Sequence, residues 1–181
     1  ELRTCLAMGA DRALRVPCDS AFALPPATVA QAIAKVVRSE APDLVLCGKQ
    51  SVDRDNAQTG AYLATLLDWP CVTEAVALEL GSGTAHVERE ADAGHEVFDI
   101  ALPAVVTCAK GLNEPRYANL KGIMAAKKKP LETVEGALAD SGVQVHAMEL
   151  PPVRPAGRIV GEGPEAVPAL IEALRDEAKV L

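Results

Sequence analysis

The sequence predicts an α/β fold: a mostly parallel nucleotide-binding-type sheet with helices on both faces, plus an antiparallel meander and a C-terminal arm and helix. Three observations carry this prediction. Short apolar runs alternate with segments of helical period as far as Leu67. A loop rich in glycine and polar residues, Gly48 to Gly60, joins one such run to one such segment. After Asp68-Trp69-Pro70 the period switches to two. Helix, strand, helix, strand, helix is the order of parallel strands joined by crossovers. Period-two segments separated by glycine turns read as antiparallel neighbours.

Taken in order, Leu2, Leu6 and Ala10 lie at i, i+4 spacing and Gly9 follows a helical turn, so Leu2 to Met8 reads as the end of a helix. Ala13 to Val16 reads as a short strand, followed by a loop through Pro25-Pro26. Thr28 is placed to cap a helix from Val29 to Arg38, with Val29, Ile33, Val36 and Val37 on its apolar face. Asp43 to Cys47 is a strand short enough to be buried on both sides. Ala61 to Leu67 returns to helical spacing.

Val72 to about Leu80 then begins the meander, with Gly81-Ser82-Gly83 as its first turn and Ala85 to Glu90 as its second strand. Asp92-Ala93-Gly94 turns into a third strand, Glu96 to Leu102, and Ala104 to Cys108 is a further buried strand. From Ala109 to Pro130 no period is visible; a loop that long is often functional. Val143 to Met148 reads as a strand. Pro164 opens a final helix with Val167, Leu170, Ile171, Leu174 and Ala178 on one face. Residues 1–135 are expected to form the α/β nucleotide-binding domain. Residues 136–181 are expected to form the arm and helix, packing on a partner.

Composition narrows the function. The chain has 181 residues, 49% of them hydrophobic, with aromatics at only 3%, so its core rests on Ala, Val and Leu. A net charge of −7 opposes nucleic-acid and membrane-surface roles. No apolar run approaches the ~20 residues that span a bilayer, so no membrane insertion is expected. Cys5, Cys18, Cys47, Cys71 and Cys108 are scattered singly, which reads as reduced thiols in a cytosolic setting. His86, His95 and His146 have no neighbour at metal-ligand spacing, and no metal site and no catalytic triad are expected.

The Gly48–Gly60 loop is the strongest candidate site. A strand, a polar glycine loop and a helix start together offer backbone N–H groups to a phosphate. Neither a Walker A motif nor a GxGxxG motif is present, and an ordinary polar βα loop has the same look. Lys127-Lys128-Lys129 is the only basic run and reads either as a solvated tract or as a patch that steers an acidic partner.

Several segments in order then carry a resemblance. They are Leu-Arg-Thr-Cys-Leu-Ala-Met-Gly-Ala-Asp-Arg at 2–12, Asp-Leu-Val-Leu-Cys-Gly-Lys-Gln at 43–50, Gln-Thr-Gly at 58–60 and Leu-Asp-Trp-Pro at 67–70. Val-Glu-Arg-Glu at 87–90 and Leu-Pro-Ala-Val-Val-Thr at 102–107 follow. Leu-Asn-Glu-Pro-Arg-Tyr at 112–117 and Ile-Met-Ala-Ala-Lys-Lys-Lys at 123–129 complete the set. Across nearly its whole length the chain resembles the beta subunits of electron transfer flavoproteins. Against that family it looks like a fragment, because the family's usual first strand, loop and helix have no counterpart here. An unpaired sheet edge is therefore expected at Ala13–Val16 or Leu44–Cys47.

The resemblance implies an electron carrier rather than an enzyme. Its FAD is shared with an alpha subunit, and it carries electrons from acyl-CoA or other flavin dehydrogenases toward the respiratory chain through a quinone oxidoreductase. The implied location is the bacterial cytoplasm, or the mitochondrial matrix in a eukaryote. AMP, or a second FAD in the bifurcating branch, is implied at Gly48, Lys49, Gln50, Ser51, Val52, Asp53, Arg54, Asp55, Asn56, Ala57, Gln58 and Thr59. Gln58-Thr59-Gly60 and Asp68-Trp69-Pro70 resemble the AMP branch, while Arg54 and Ala57 depart from the commoner Asp and Asn. Asp53 and Asp55 would repel a phosphate, so they are expected to serve the loop backbone or the ribose.

Glu90, in Val-Glu-Arg-Glu, is implied to lie near the flavin; on its own it reads as a solvated hairpin carboxylate. Leu120 matches the family's anchor for dehydrogenases, with Asn113, Glu114, Pro115, Arg116 and Tyr117 shaping the base of its loop. The alternative of another class is a free-standing adenine-nucleotide-binding or hydrolysing domain of the same fold. Against hydrolysis, no Lys-Ser or Lys-Thr pair follows the glycine loop to organise Mg²⁺.

Overall fold

Along the chain the elements run α1 (Leu2–Met8), β1 (Ala13–Arg15), α2 (Pro26–Glu40), β2 (Leu44–Gly48) and α3 (Thr59–Leu67). Next come β3 (Cys71–Leu80), β4 (Thr84–Ala91), β5 (Gly94–Ala101), β6 (Ala104–Cys108), α4 (Leu120–Ala126), β7 (Leu131–Thr133) and α5 (Val167–Glu172). This is a computed structural model, and it describes residues 1–18, 24–135, 142–154 and 156–181. The chain divides into two units, Glu1–Gln144 and Val145–Leu181.

The larger unit is α/β, as its alternating pattern predicts. Its main sheet has the order β2-β6-β3-β4-β5. β2, β6 and β3 are parallel, and β3, β4 and β5 form the antiparallel meander. β6 is central and almost wholly enclosed: Ala104, Val105, Val106 and Thr107 are all buried. Adjacent strand residues point to opposite faces, so Val105 and Val106 enter different cores. Val105 joins Ala30 and Ala34 of α2 and Leu63 and Ala64 of α3, with Val45, Cys47 and Trp69 around them. Val106 joins Val72, Ala75, Ala85 and Val87. The prevalence of alanine lets the helices lie close to the sheet, as a chain poor in aromatics requires.

β3 serves two partners of opposite direction, and it does so with two irregularities. Its register against β6 shifts between Val72 and Ala75, and against β4 between Ala75 and Ala77. At each shift β3 carries one residue more than its neighbour, which is a bulge and re-aims side chains. Glu74, inside the first bulge, has φ 62°.

Several expectations are corrected. α2 begins at Pro26, with Pro25 as its cap, so Thr28 is a buried residue of the first turn and not the cap. Proline has its φ pre-set and lacks the N–H that the first turn leaves unsatisfied. β2 is not buried on both sides: among the described residues it pairs only with β6, and Leu46 is 53% exposed. The segment after Ala109 is not without regular structure. It contains α4, whose cap Asn119 accepts a hydrogen bond from the Gly122 N–H at 2.7 Å.

α4 packs on α1, and Gly122 permits the approach, since a Cβ there would stand 2.3 Å from the Ala7 carbonyl oxygen. Arg3 Nη1 donates to Ala126 O at 2.6 Å and to Lys129 O at 2.8 Å. Lys129 Nζ returns to Ala10 O at 2.6 Å and Leu6 O at 3.1 Å, at the carbonyl end of α1. Lys129 is therefore a structural tie and leaves the steering run. Beside these helices β1 pairs with β7 in parallel; β7 is too short to show a period in sequence. The expected strand at Val143–Met148 is not formed: the segment carries no regular secondary structure.

In the smaller unit the expected single helix is three pieces: a 3-10 turn at Pro164–Ala166, α5, and a π-turn at Ala173–Glu177. Val167, Leu170 and Ile171 are 40–48% exposed, and Leu150, Val153 and Ile159 of the arm are nearly bare. Arg158 pairs with Glu177 at 2.6 Å.

Candidate functional site

β2 ends at Gly48, and the chain turns across the carboxyl end of the parallel strands before α3 begins. Lys49 N–H donates to Cys108 O at the end of β6, 3.0 Å away, and continues the parallel ladder one step past β2. Open α/β sheets bind ligands at this place, outside the carboxyl ends of their strands. A cavity of about 360 Å³ lies here, walled by Gly48, Lys49, Gln50, Ser51, Arg54, Asn56, Ala57, Gln58 and Thr59. Leu24, Pro26 and Val29, at the start of α2, close the apolar side. α3 opens directly on this space, so its unpaired N–H groups and the positive end of its dipole face it.

Of the twelve residues singled out in sequence, Val52, Asp53 and Asp55 do not wall the cavity. Val52 is fully exposed. The Ser51 hydroxyl, followed by backbone N–H groups, holds the Asp53 carboxyl below its ordinary pKa. Asp55 accepts from the Gln50 amide, and its own N–H donates to Ser51 O at 2.9 Å. Both acids thus support the loop from outside. Arg54 Nη1 donates to Leu24 O at 2.9 Å and ties the loop to the start of α2. Asp55 and Ala57 are left-handed, with φ 55° and 49°. Asp tolerates that region and Ala does not, so Ala57 stores strain where the Asn implied by the resemblance would relieve it.

Sequence reasoning missed Glu74. Its carboxylate stands 2.7 Å from Lys49 Nζ, and its N–H donates to Thr107 Oγ1 at 3.0 Å. A non-glycine residue held at positive φ costs on the order of 1–3 kcal/mol, and the exposed ion pair returns little of it. Thr107 also sets the position of α3: a Cβ on Gly60 would lie 2.4 Å from its Cγ2, so only glycine lets α3 sit this close to β6. The missing signal is the bulge, which no period in β3 betrays.

Glu90 lies apart from the loop, on β4, and is exposed. It borders a shallow second cavity with Glu74, Asp92 and His95. Its motif neighbour Arg89 is engaged along the hairpin, 2.6–2.7 Å from Glu96 and 5.4 Å above the Phe98 ring. His86 pairs with Asp99 at 2.8 Å, which pushes its pKa up. Desolvation pushes the Cys47, Cys71 and Cys108 thiols up, which keeps them protonated at neutral pH; Cys71, at the start of β3, is nonetheless exposed.

The segment from Asn113 to Met124 forms a separate surface. Asn113, Glu114, Pro115, Arg116 and Tyr117 are exposed. Leu120 is not on a loop: it is the first residue of α4, 77% exposed, with Tyr117, Ile123 and Met124 also uncovered. Asn119 therefore fixes where Leu120 emerges.

The model of the electron transfer flavoprotein domain matches residues 1–139. The electron transfer flavoprotein subunit beta of Bradyrhizobium diazoefficiens is 43% identical over 99% of this chain and 72% of its own length. That of Sus scrofa is 44% identical over 99% of this chain and 71% of its own length. The mitochondrial subunit beta of Arabidopsis thaliana is 41% identical over 99% and 72%. The chain belongs to the electron transfer flavoprotein family, a family of electron carriers, and its likeness there is to the beta subunits.

Proposed function

We propose that this chain is the beta half of a heterodimer that takes electrons from acyl-CoA or other flavin dehydrogenases. It passes them to a quinone oxidoreductase of the respiratory chain, in a bacterial cytoplasm or a mitochondrial matrix. The FAD, held with the alpha subunit, supplies the one- and two-electron chemistry when bound. This chain's task is then to wall the cofactor, set the charge around it and present a docking surface. The arm and helix beyond residue 135 pack on the alpha subunit; the bare Leu150, Val153 and Ile159 support that role.

The observation that carries the proposal is the cavity over the Gly48–Thr59 loop. Its donors suit a phosphate: backbone N–H groups at the start of α3, the Thr59 hydroxyl and the Arg54 guanidinium. The apolar wall of Leu24, Pro26 and Val29 suits a base. A volume of about 360 Å³ is at the low end of ligand pockets and favours the mononucleotide AMP over a second FAD. Mass spectrometry of ligand released from the purified heterodimer checks this. The expected result is one AMP and one FAD per heterodimer; two FAD and no AMP would overturn it.

Glu90 places a carboxylate near the flavin, where a fixed charge tunes the potential. Glu90→Gln is expected to shift a flavin reduction potential in spectroelectrochemical titration at full flavin content. Unchanged potentials would return Glu90 to the role of a solvated hairpin residue.

Leu120 is the anchor for the dehydrogenase, with Tyr117, Ile123 and Met124 around it. One apolar anchor within a polar rim is how a small transient interface gains specificity, and truncating such an anchor costs on the order of 2 kcal/mol. Leu120→Ala should therefore slow electron acceptance at subsaturating dehydrogenase by roughly tenfold or more, with flavin content and assembly intact. Wild-type rates would remove α4 from the docking surface.

A further inference from the structure

A groove of about 600 Å³ lies away from the Gly48–Thr59 loop, between α1 and α4. Thr4 and Ala7 of α1 wall it together with Ala118, Ile123 and Ala126, and Arg3 and Lys127 are its charged members. No carboxylate borders it among the described residues. The two helices that frame it are locked together. Gly122 lies against Ala7, Arg3 Nη1 holds the carbonyls of Ala126 and Lys129, and Lys129 Nζ returns to those of Leu6 and Ala10. The groove is therefore preformed.

Charge is segregated around it. From residue 110 to residue 129 the cations are Lys110, Arg116, Lys121, Lys127, Lys128 and Lys129, and Glu114 is the only acid, in a chain of net charge −7. Among the described residues the Lys127 and Lys128 ammonium groups make no hydrogen bond or ion pair. An apolar groove of fixed width, rimmed by unpaired cations, selects an apolar side chain that arrives with carboxylates beside it. One face of an acidic amphipathic helix presents that combination. A two-fold pairing of this groove with itself would instead oppose like charges.

We propose that the α1–α4 groove is a socket for an acidic amphipathic helix of the dehydrogenase, which seats an apolar side chain against Thr4 and Ile123 while its carboxylates meet Lys127 and Lys128. This rests on the reading of α4 as the docking surface. Leu120 and Ile123 are three residues apart on that helix, so the contact is reciprocal: Leu120 enters the partner, and the partner enters the groove beside it. A single anchor leaves the partner free to pivot about it. The second contact fixes its orientation, and the cations at the rim steer its approach.

The test places a photoreactive benzoylphenylalanine at Thr4 of the heterodimer and irradiates it with a purified acyl-CoA dehydrogenase. Mass spectrometry of the cross-linked peptides should join Thr4 to a dehydrogenase helix with Asp or Glu flanking the captured residue. A cross-link to a second copy of this chain or to the alpha subunit, or none to the dehydrogenase, would overturn the proposal. Kinetics give a second arm. Thr4→Trp fills the groove from an exposed position and should raise the KM for the dehydrogenase on the order of tenfold, with flavin content and the rate at saturation unchanged. Lys127→Glu should raise KM by a smaller factor that shrinks as salt is added, whereas the effect of Thr4→Trp persists. A wild-type KM in Thr4→Trp with Leu120→Ala impaired would overturn the socket and leave α4 as the docking surface. Wild-type behaviour of both variants would overturn both.

Discussion

Val105 and Val106 are consecutive residues of β6, and they anchor different cores. Val105 fastens α2 and α3 to one face of the sheet, and on the other face Val106 packs with side chains of the neighbouring strands β3 and β4. No other strand of the sheet is enclosed along almost its whole length, and both β2 and β3 take their direction from it. Burying a valine is worth about 1.5–3 kcal/mol, and β6 supplies one fully buried valine to each of the two cores. A break there would free both halves of the larger unit.

The site inherits its geometry from the same strand. Cys108 O receives the Lys49 N–H, which sets where the Gly48–Thr59 loop leaves the sheet. Thr107 holds the start of α3 through contact at Gly60 and the bulge of β3 through its hydroxyl. The cavity is therefore a consequence of how α3 and β2 are attached to β6, and the strain at Ala57 and Glu74 is carried by that framework. Strained residues survive where the surrounding packing over-determines them, and here the over-determination comes from a buried central strand.

The parts legible in sequence are those governed by local pattern. The Gly48–Gly60 loop, the helix that follows it and the switch to period two after Pro70 all follow from spacing and turn chemistry. What escaped depends on partners distant in sequence. α4 was hidden because Gly122 weakens its local signal, and that glycine is needed only because Ala7, over a hundred residues away, lies against it. Lys129 looked like a surface charge until the carbonyl end of α1 supplied its partners. β7 has only three residues and exists through β1. Glu74 was unreadable for the same reason: its side-chain direction is set by a register shift against β6. Thr28 was misjudged through a local rule, since a proline at the first helical position took precedence over a capping hydroxyl.

The central claim is that a loop carried on the carboxyl ends of β2 and β6 is the nucleotide site. Amide hydrogen exchange of the heterodimer with and without added AMP tests it most directly. The account predicts that added AMP slows exchange in Lys49–Gly60 and at the start of α3, and leaves the β4–β5 hairpin and α4 unchanged. Protection confined to other segments, with the loop exchanging as fast as before, would contradict it.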